Sequence, residues 1–263
     1  MFKRIRIIAL DYGLTFGVDR AIRQLIGHDR LSGIGVIPVS PLMKRETKLL
    51  REVVAGRRHQ PEIGMMIAVT HPFTPLSVSG RIHFGETFPT IKQLRRRMRF
   101  GLVPARVLAE EITAQHAAFV NQFDRLPDFI DGWQDVTELP VIRRAFGSAG
   151  PHLAWAEGAW YRLGGLSGSR RGRFANKIGR FGVTLSPGVR IPTPDQKERH
   201  LHNLFFNELK LVPEGTAVIC RPAEIDDRLR QLDEHAASRE LIYRFLAGPD
   251  LQMVLQERDL FLF

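Results

Sequence analysis

Cysteine is almost absent from the chain: Cys220 is the sole one in 263 residues. A single thiol permits neither an intramolecular disulfide framework nor a thiolate metal cluster. It closes the apolar run at 216–220, which is the setting of a buried structural thiol and not of a nucleophile. Long apolar stretches are missing as well, and none approaches the length of a membrane span. The basic start Met1-Phe2-Lys3-Arg4, followed by residues 5–10, apolar apart from Arg6, imitates a signal peptide, but the apolar part is short and runs straight into Asp11. A cytoplasmic location is therefore the expectation. No nucleophilic triad is legible, because Ser40, Ser77 and Ser186 lack the glycine context of a nucleophile elbow. Acids are the scarcer charge, 28 against 38 basic residues, which leaves a formal net charge of +10. That excess attracts anionic partners such as nucleic acid, an acidic glycan or an anionic membrane surface. The strand-borne aromatics of RNA-binding modules and a helix-turn-helix pattern are both missing, so nucleic acid is not the expected partner.

With 44% hydrophobic and 25% charged residues, the chain reads as globular. Its length suits one α/β domain over 1–263. The run at 5–9, apolar and β-branched apart from Arg6, predicts a strand that delivers Asp11 to its C-terminal end. Gly13 and Gly17 then turn the chain into an amphipathic helix marked by Val18, Ile22 and Leu25. Alternation continues with a strand over 31–39, a helix over 42–55 and a strand over 62–69. Residues 77–90 read as an irregular insertion. Residues 91–100 carry the dense run Arg95, Arg96, Arg97 and Arg99, and 104–123 is a long helix. A short strand is expected over 128–131, a helix over 141–146, a further strand over 152–155 and a glycine-rich basic insertion over 158–182. Strands resume near 183 and 216, the segment 224–246 is helical, and 260–263 is a closing strand. Buried strands separated by helices predict parallel pairing.

Four short motifs sit at candidate strand ends. They are Ala9-Leu10-Asp11-Tyr12-Gly13-Leu14, Ile63-Gly64-Met65-Met66 with Pro72-Phe73-Thr74-Pro75-Leu76, the run from Asp128 to Thr137 with Leu139-Pro140, and Val218 to Ala223. In this order they resemble the YdjC family of carbohydrate deacetylases over most of the chain. The resemblance implies a distorted, incomplete (β/α) barrel of the polysaccharide-deacetylase kind, often dimeric, acting on or binding carbohydrate or glycolipid. It also implies a site: a first aspartate as base, a second as metal ligand, and one histidine from each of two later motifs.

Against that implied pattern the departures are chemical. Leu10 stands at the base position, Met66 at the first histidine, Trp133, Asp135 and Thr137 in the histidine-rich motif, and Arg221 at the late histidine; Asp11 alone is kept. A metal that activates water needs about three oxygen or nitrogen ligands, which leucine and tryptophan cannot supply, and a thioether is a soft donor unsuited to Zn²⁺ or Mg²⁺. The first expectation is a divergent homologue without cofactor or metal-dependent deacetylation. It would keep a sugar-binding cleft lined by Tyr12, Phe73, Trp133 and Arg221, with Arg221 pairing with Asp11, Asp135 or both. The alternatives are a hydrolase with a rebuilt Mg²⁺ or Mn²⁺ site on Asp11, Asp135 and either Glu138 or His71, and a module for anionic partners using the arginines of 95–99 and 170–173.

Overall fold

The computed structural model describes residues 2–57, 59–164, 168–186, 188–190 and 198–262. In chain order the first half runs β1 (Lys3–Tyr12), α1 (Phe16–Gly27), β2 (Gly33–Val36), α2 (Met43–Ala55), β3 (Glu62–Ile67), α3 (Val78–Phe84), α4 (Ile91–Arg99), α5 (Ala105–Phe123) and β4 (Phe129–Gly132). A 3-10 turn at Trp133–Glu138 leads into α6 (Pro140–Ala149), then β5 (Trp160–Arg162), α7 (Gly168–Gly179), β6 (Thr184–Ser186) and β7 (Val189–Arg190). The remainder is α8 (Glu198–Glu208), β8 (Ala217–Cys220), α9 (Asp227–Leu232), α10 (Ala236–Ala247), α11 (Asp250–Glu257) and β9 (Leu260–Leu262). Two compact units divide these elements: one takes 1–36, 44–62 and 188–263, the other 37–43 and 63–187.

In the first unit β1 is the centre. It pairs in parallel with β2, β8 and β9, and β8 pairs in turn with β7. Hydrogen-bonded on both edges, β1 is apolar through its middle apart from the half-buried Arg6, which pairs with Glu62, and Ile5, Ile7, Ile8, Ala9 and Leu10 are all fully buried. Each such isoleucine contributes about 1.5–3 kcal/mol through burial. Ala9 lies opposite Ile34, but Tyr12 lies opposite Val36, so the register with β2 slips between them. A bulge of this kind redirects side chains at a strand end, and here it falls at Asp11.

The second unit contains the parallel series β3, β4, β5 and β6. Gly64 of β3 lies directly under the Phe129 ring, where a Cβ would collide with the ring carbons. Helix α5 secures the segment beyond β3 with buried polar groups. The Gln115 amide exchanges hydrogen bonds of 3.0 and 2.7 Å with the Ala68 backbone, and the Glu111 carboxylate accepts from the Leu76 and Ser77 N–H groups.

Most expected elements are present with boundaries moved by a few residues, and three readings need correction. Residues 77–90 are not simply irregular: α3 lies within them, started by the Ser77 hydroxyl, which accepts from the Gly80 N–H. The expected strand over 152–155 is a 3-10 turn ending at His152 followed by coil, and the pairing strand is β5, inside the stretch read as a basic insertion. The single helical segment over 224–246 is two helices, α9 and α10, with Asp226 capping the first through the Leu229 N–H. Phe263, the end of the expected closing strand, lies outside the described residues.

Gly17, in the first turn of α1, touches the chain that follows β8: its N–H donates to Asp226 Oδ2 at 2.7 Å and its carbonyl accepts from the Glu224 N–H at 3.2 Å. A methyl group there would overlap the Glu224 carbonyl oxygen and come within 2.8 Å of Asp226 Oδ2. Gly17→Ala is expected to destabilise the protein by about 1–3 kcal/mol, the usual range for overpacking, measured by chemical denaturation. An unchanged midpoint would contradict this packing.

Candidate functional site

At the end of β1 the backbone of Asp11 adopts φ 74° and that of Gly13 φ 96°. The left-handed region is uncommon for an aspartate and costs conformational energy that the surroundings must offset. The turn is closed by the Leu14 N–H donating to the Asp11 carbonyl at 3.0 Å, and by the Gly13 N–H donating to the Asp19 carboxylate. Burial, above all, drives the Asp19 carboxyl well above its ordinary value, against the opposing Gly13 hydrogen bond. Thr15 caps α1 by accepting from the Val18 N–H. The result is a fully buried Asp11 carboxylate held against two guanidinium groups. Arg239 Nη2 is 2.8 Å and Arg221 Nε 3.2 Å from Asp11 Oδ2.

Arg221 follows β8, and Arg239 lies on the buried stripe of α10 with Ala236, Ile242, Phe245 and Leu246. Arg239 is itself shared, since its Nε donates to Asp233 Oδ2 at 2.6 Å, and its carbonyl accepts from the Ala223 N–H at 3.1 Å. Burial raises the Asp233 pKa, but Arg239 and the His235 N–H outweigh it and hold the carboxyl below its usual range.

A second cluster of the same chemistry closes β4 and β5 in the other unit. Asp131, fully buried, accepts the Gly132 N–H at 2.6 Å on one oxygen and is paired through the other with Arg162 Nε. The same guanidinium reaches Asp135 Oδ1 at 3.0 Å and Glu138 Oε1 at 3.6 Å. Desolvation disfavours the charged form of Arg162, yet Asp131, Asp135 and Glu138 together hold it more firmly protonated than an ordinary arginine. Gln134 and Asp135 both adopt left-handed backbone, with φ 52° and 60°. Sequence reasoning missed Arg162, Asp131 and Arg239 as site residues. Each had a signal: a charge ending a short apolar strand, or an arginine in register with the apolar stripe of a helix.

The expected binding aromatics are displaced from that role. Tyr12 is fully buried, and its hydroxyl donates to the Glu46 carbonyl at 2.9 Å and lies 3.1 Å from Arg23 Nη1, so its ring is core and not a sugar platform. Phe73 and Trp133 pack edge to face at 6.2 Å and are each only 3% exposed, so neither offers an open face; Trp133 Nε1 donates to the His71 carbonyl at 3.2 Å. His71 itself is exposed. Leu10, Met66 and Thr137 are buried, and the Thr137 carbonyl accepts from the Tyr161 hydroxyl at 3.1 Å. Glu138 is turned to Arg162 and does not cap α6, whose N-terminus has no side-chain cap.

These donors do not fit a divalent ion in the manner the sequence resemblance implies. Asp11 is already matched by two guanidinium groups, Leu10 and Met66 offer no hard ligand, and Asp135 and Glu138 face a cation of their own. Among the described residues no three His, Cys, Asp or Glu side chains are grouped as metal ligands.

The YdjC-like protein family model matches residues 4–257. The chain belongs to the YdjC-like family. Among solved structures, this YdjC-like chain is similar to a candidate cellobiose-phosphate cleavage protein from Enterococcus faecalis V583, at a TM-score of 0.75 and 16% identity, covering 100% of this chain and 97% of that one. It also matches the Xyl-CE4 domain of a multidomain xylanase from the hindgut metagenome of Trinervitermes trinervoides, with a TM-score of 0.51, 8% identity and coverage of 100% and 87%. An uncharacterised protein of Agrobacterium tumefaciens C58 gives a TM-score of 0.50 at 12% identity, covering 93% and 82%. A search of curated proteins returns no significant match. At these identities the likenesses establish the fold, and the expected α/β, polysaccharide-deacetylase-like class is borne out.

Removing Arg162 would leave Asp131 buried without a counter-charge. Arg162→Met is expected to destabilise the YdjC-like chain by about 3–5 kcal/mol, measured by urea denaturation; a loss below 1 kcal/mol, on the order of a surface pair, would contradict the burial. The Asp233 pair carries a pH signature. Because its folded pKa lies below the unfolded one, its stabilisation is present above the ordinary carboxylate pKa and lost as pH falls through the lowered value. The stability difference between the native chain and Asp233→Asn is therefore expected to be full near neutral pH and to shrink below about pH 4, followed by denaturation across pH.

Proposed function

We propose that this YdjC-like protein is a divergent member that binds a carbohydrate or glycolipid and does not carry out metal-dependent N-deacetylation. The observation that supports this is the neutralised Asp11. Metal-assisted deacetylation uses an ion to polarise the acetyl carbonyl and to bring the pKa of bound water from about 15.7 to near 7. The one carboxylate retained from the pattern implied by the resemblance is instead paired to Arg221 and Arg239. A cation fixed covalently to the chain satisfies the carboxylate as an ion would, but it carries no water to activate and has no open coordination position. The neighbouring Leu10 has no basic atom, which removes general-base assistance worth about 10²–10⁴-fold. Carbohydrate as the ligand class rests on family membership and on the sugar phosphate in the name of the Enterococcus faecalis protein.

The test is acetate release from N-acetylated oligosaccharides by the purified chain with and without Mg²⁺, Mn²⁺ and Zn²⁺, alongside sugar binding by calorimetry. No turnover above the blank is expected with any ion, with sugar binding retained and unaffected by chelator. Metal-dependent turnover that Asp11→Asn abolishes would overturn the proposal.

A further inference from the structure

We propose that the face formed by α3, α4 and the turn after α4 docks on an anionic bilayer surface, an interaction independent of the sugar-binding reading. Val78 and Ile82 lie one turn apart on α3 and therefore share a face, and they are 73% and 82% exposed. Phe100 and Leu102, in the turn beyond α4, are 67% and 59% exposed. The two segments are tied together, since His83 Nε2 lies 3.0 Å from the Leu102 carbonyl oxygen. Four large apolar side chains thus stand in water on adjoining backbone, where isolated exposed leucines would need no explanation.

The sequence that carries them is charged with one sign. Between residues 76 and 106 the sequence has seven Lys or Arg residues and one acid, Glu86. Helix α4 is anchored by the buried Leu94 and by a capping box between Thr90 and Gln93. At 100° per residue, Lys92, Arg96 and Arg99 cluster about the pole opposite Leu94 with Arg95 to one side of them, and all four are exposed. Arg106 is balanced by Glu110 at 3.0 Å and Arg81 is turned to the Leu76 carbonyl at 2.7 Å. No ion pair joins Lys92, Arg95, Arg96, Arg97 or Arg99 to an acid among the described residues. Arginines in the last turn of α4 also suit its negative end, but that effect calls for neither Lys92 nor Arg95 and gives no reason for the apolar side chains beside them.

Exposed cations on α4 and protruding aliphatic side chains on α3 and the turn after α4, joined through His83, match an acidic headgroup layer over acyl chains, where the charges stay with phosphate and carboxylate groups while Ile82, Val78 and Leu102 enter the hydrocarbon boundary. A nucleic acid would use the arginines and could stack on Phe100, but it would leave Val78, Ile82 and Leu102 in water, because base recognition relies on aromatic stacking and hydrogen bonds.

Sedimentation of the full chain with vesicles tests this, comparing phosphatidylcholine alone with phosphatidylcholine containing about 30 mol % phosphatidylserine, a strongly anionic surface. Binding to the anionic vesicles only is expected. The triple substitution Arg95→Glu, Arg96→Glu, Arg99→Glu and, separately, the pair Val78→Ser, Ile82→Ser are each expected to weaken it about tenfold or more, with thermal unfolding unchanged because these side chains are exposed. Equal binding to both vesicle types, or none to either, would overturn the proposal. So would a Val78→Ser, Ile82→Ser protein that binds anionic vesicles as well as the native chain, and single-stranded RNA binding tighter than vesicle binding would assign the arginines to nucleic acid instead.

Discussion

A carboxylate fixed at the end of a buried strand has to be neutralised within the protein, because water cannot reach it. At Asp11 that requirement is met by Arg221 and Arg239, and at Asp131 by Arg162. Both carboxylates are fully buried. An unpaired charge in such a place would shift its protonation or unfold the chain, so each aspartate obliges the sequence to keep an arginine on a different element. The guanidinium suits the task better than an ammonium, since its fork can serve several oxygens at once. Arg162 does so for three carboxylates, and Arg239 bridges Asp11 to Asp233. Helix α10 and the segment after β8 are thereby fastened to the end of β1.

The parts of the fold that could be read from sequence are those in which local pattern and burial agree. Apart from Arg6 the run at 5–9 is apolar because β1 lies between paired neighbours in the core, and the stripe Val18, Ile22, Leu25 is apolar because that face of α1 is buried. Helix α3 escaped notice because its start depends on Ser77, whose hydroxyl is in turn held by Glu111, thirty-four positions away. Strand β5 was hidden in a different way: three residues are too few for alternation to register, and glycines and arginines flank them. Its identity as a strand comes from pairing with β4 and β6, which no local window contains.

At the site, one guanidinium partner of Asp11 was legible in the sequence and the other cations were not. Arg221 stood within a recognisable motif, so its approach to Asp11 could be anticipated. Arg239 lay in a helix with no motif and Arg162 beyond a strand assigned elsewhere, so neither could be matched to its aspartate before the chain was folded. The aromatics mislead for a related reason. Tyr12 ends β1, Trp133 directly follows β4 and Phe73 lies in the loop after β3, but ring type does not reveal exposure, and burial, with Tyr12 bonded to Glu46 and Arg23 and Trp133 to the His71 carbonyl, decides their role.

The arrangement of β1 also bears on how the protein is made. Its neighbours in the first unit begin at residues 33, 217 and 260, so two of its three partners emerge from the ribosome after almost the whole chain. The unit containing β3 to β6 draws on residues 37–43 and 63–187 and has all its strands much earlier. During synthesis, domains generally close in the order their contacts become available. Among the described residues the longest strand is thus the one that waits longest for its full set of partners, which makes the apolar side chains of residues 5–10 the part of the nascent chain that most needs a chaperone.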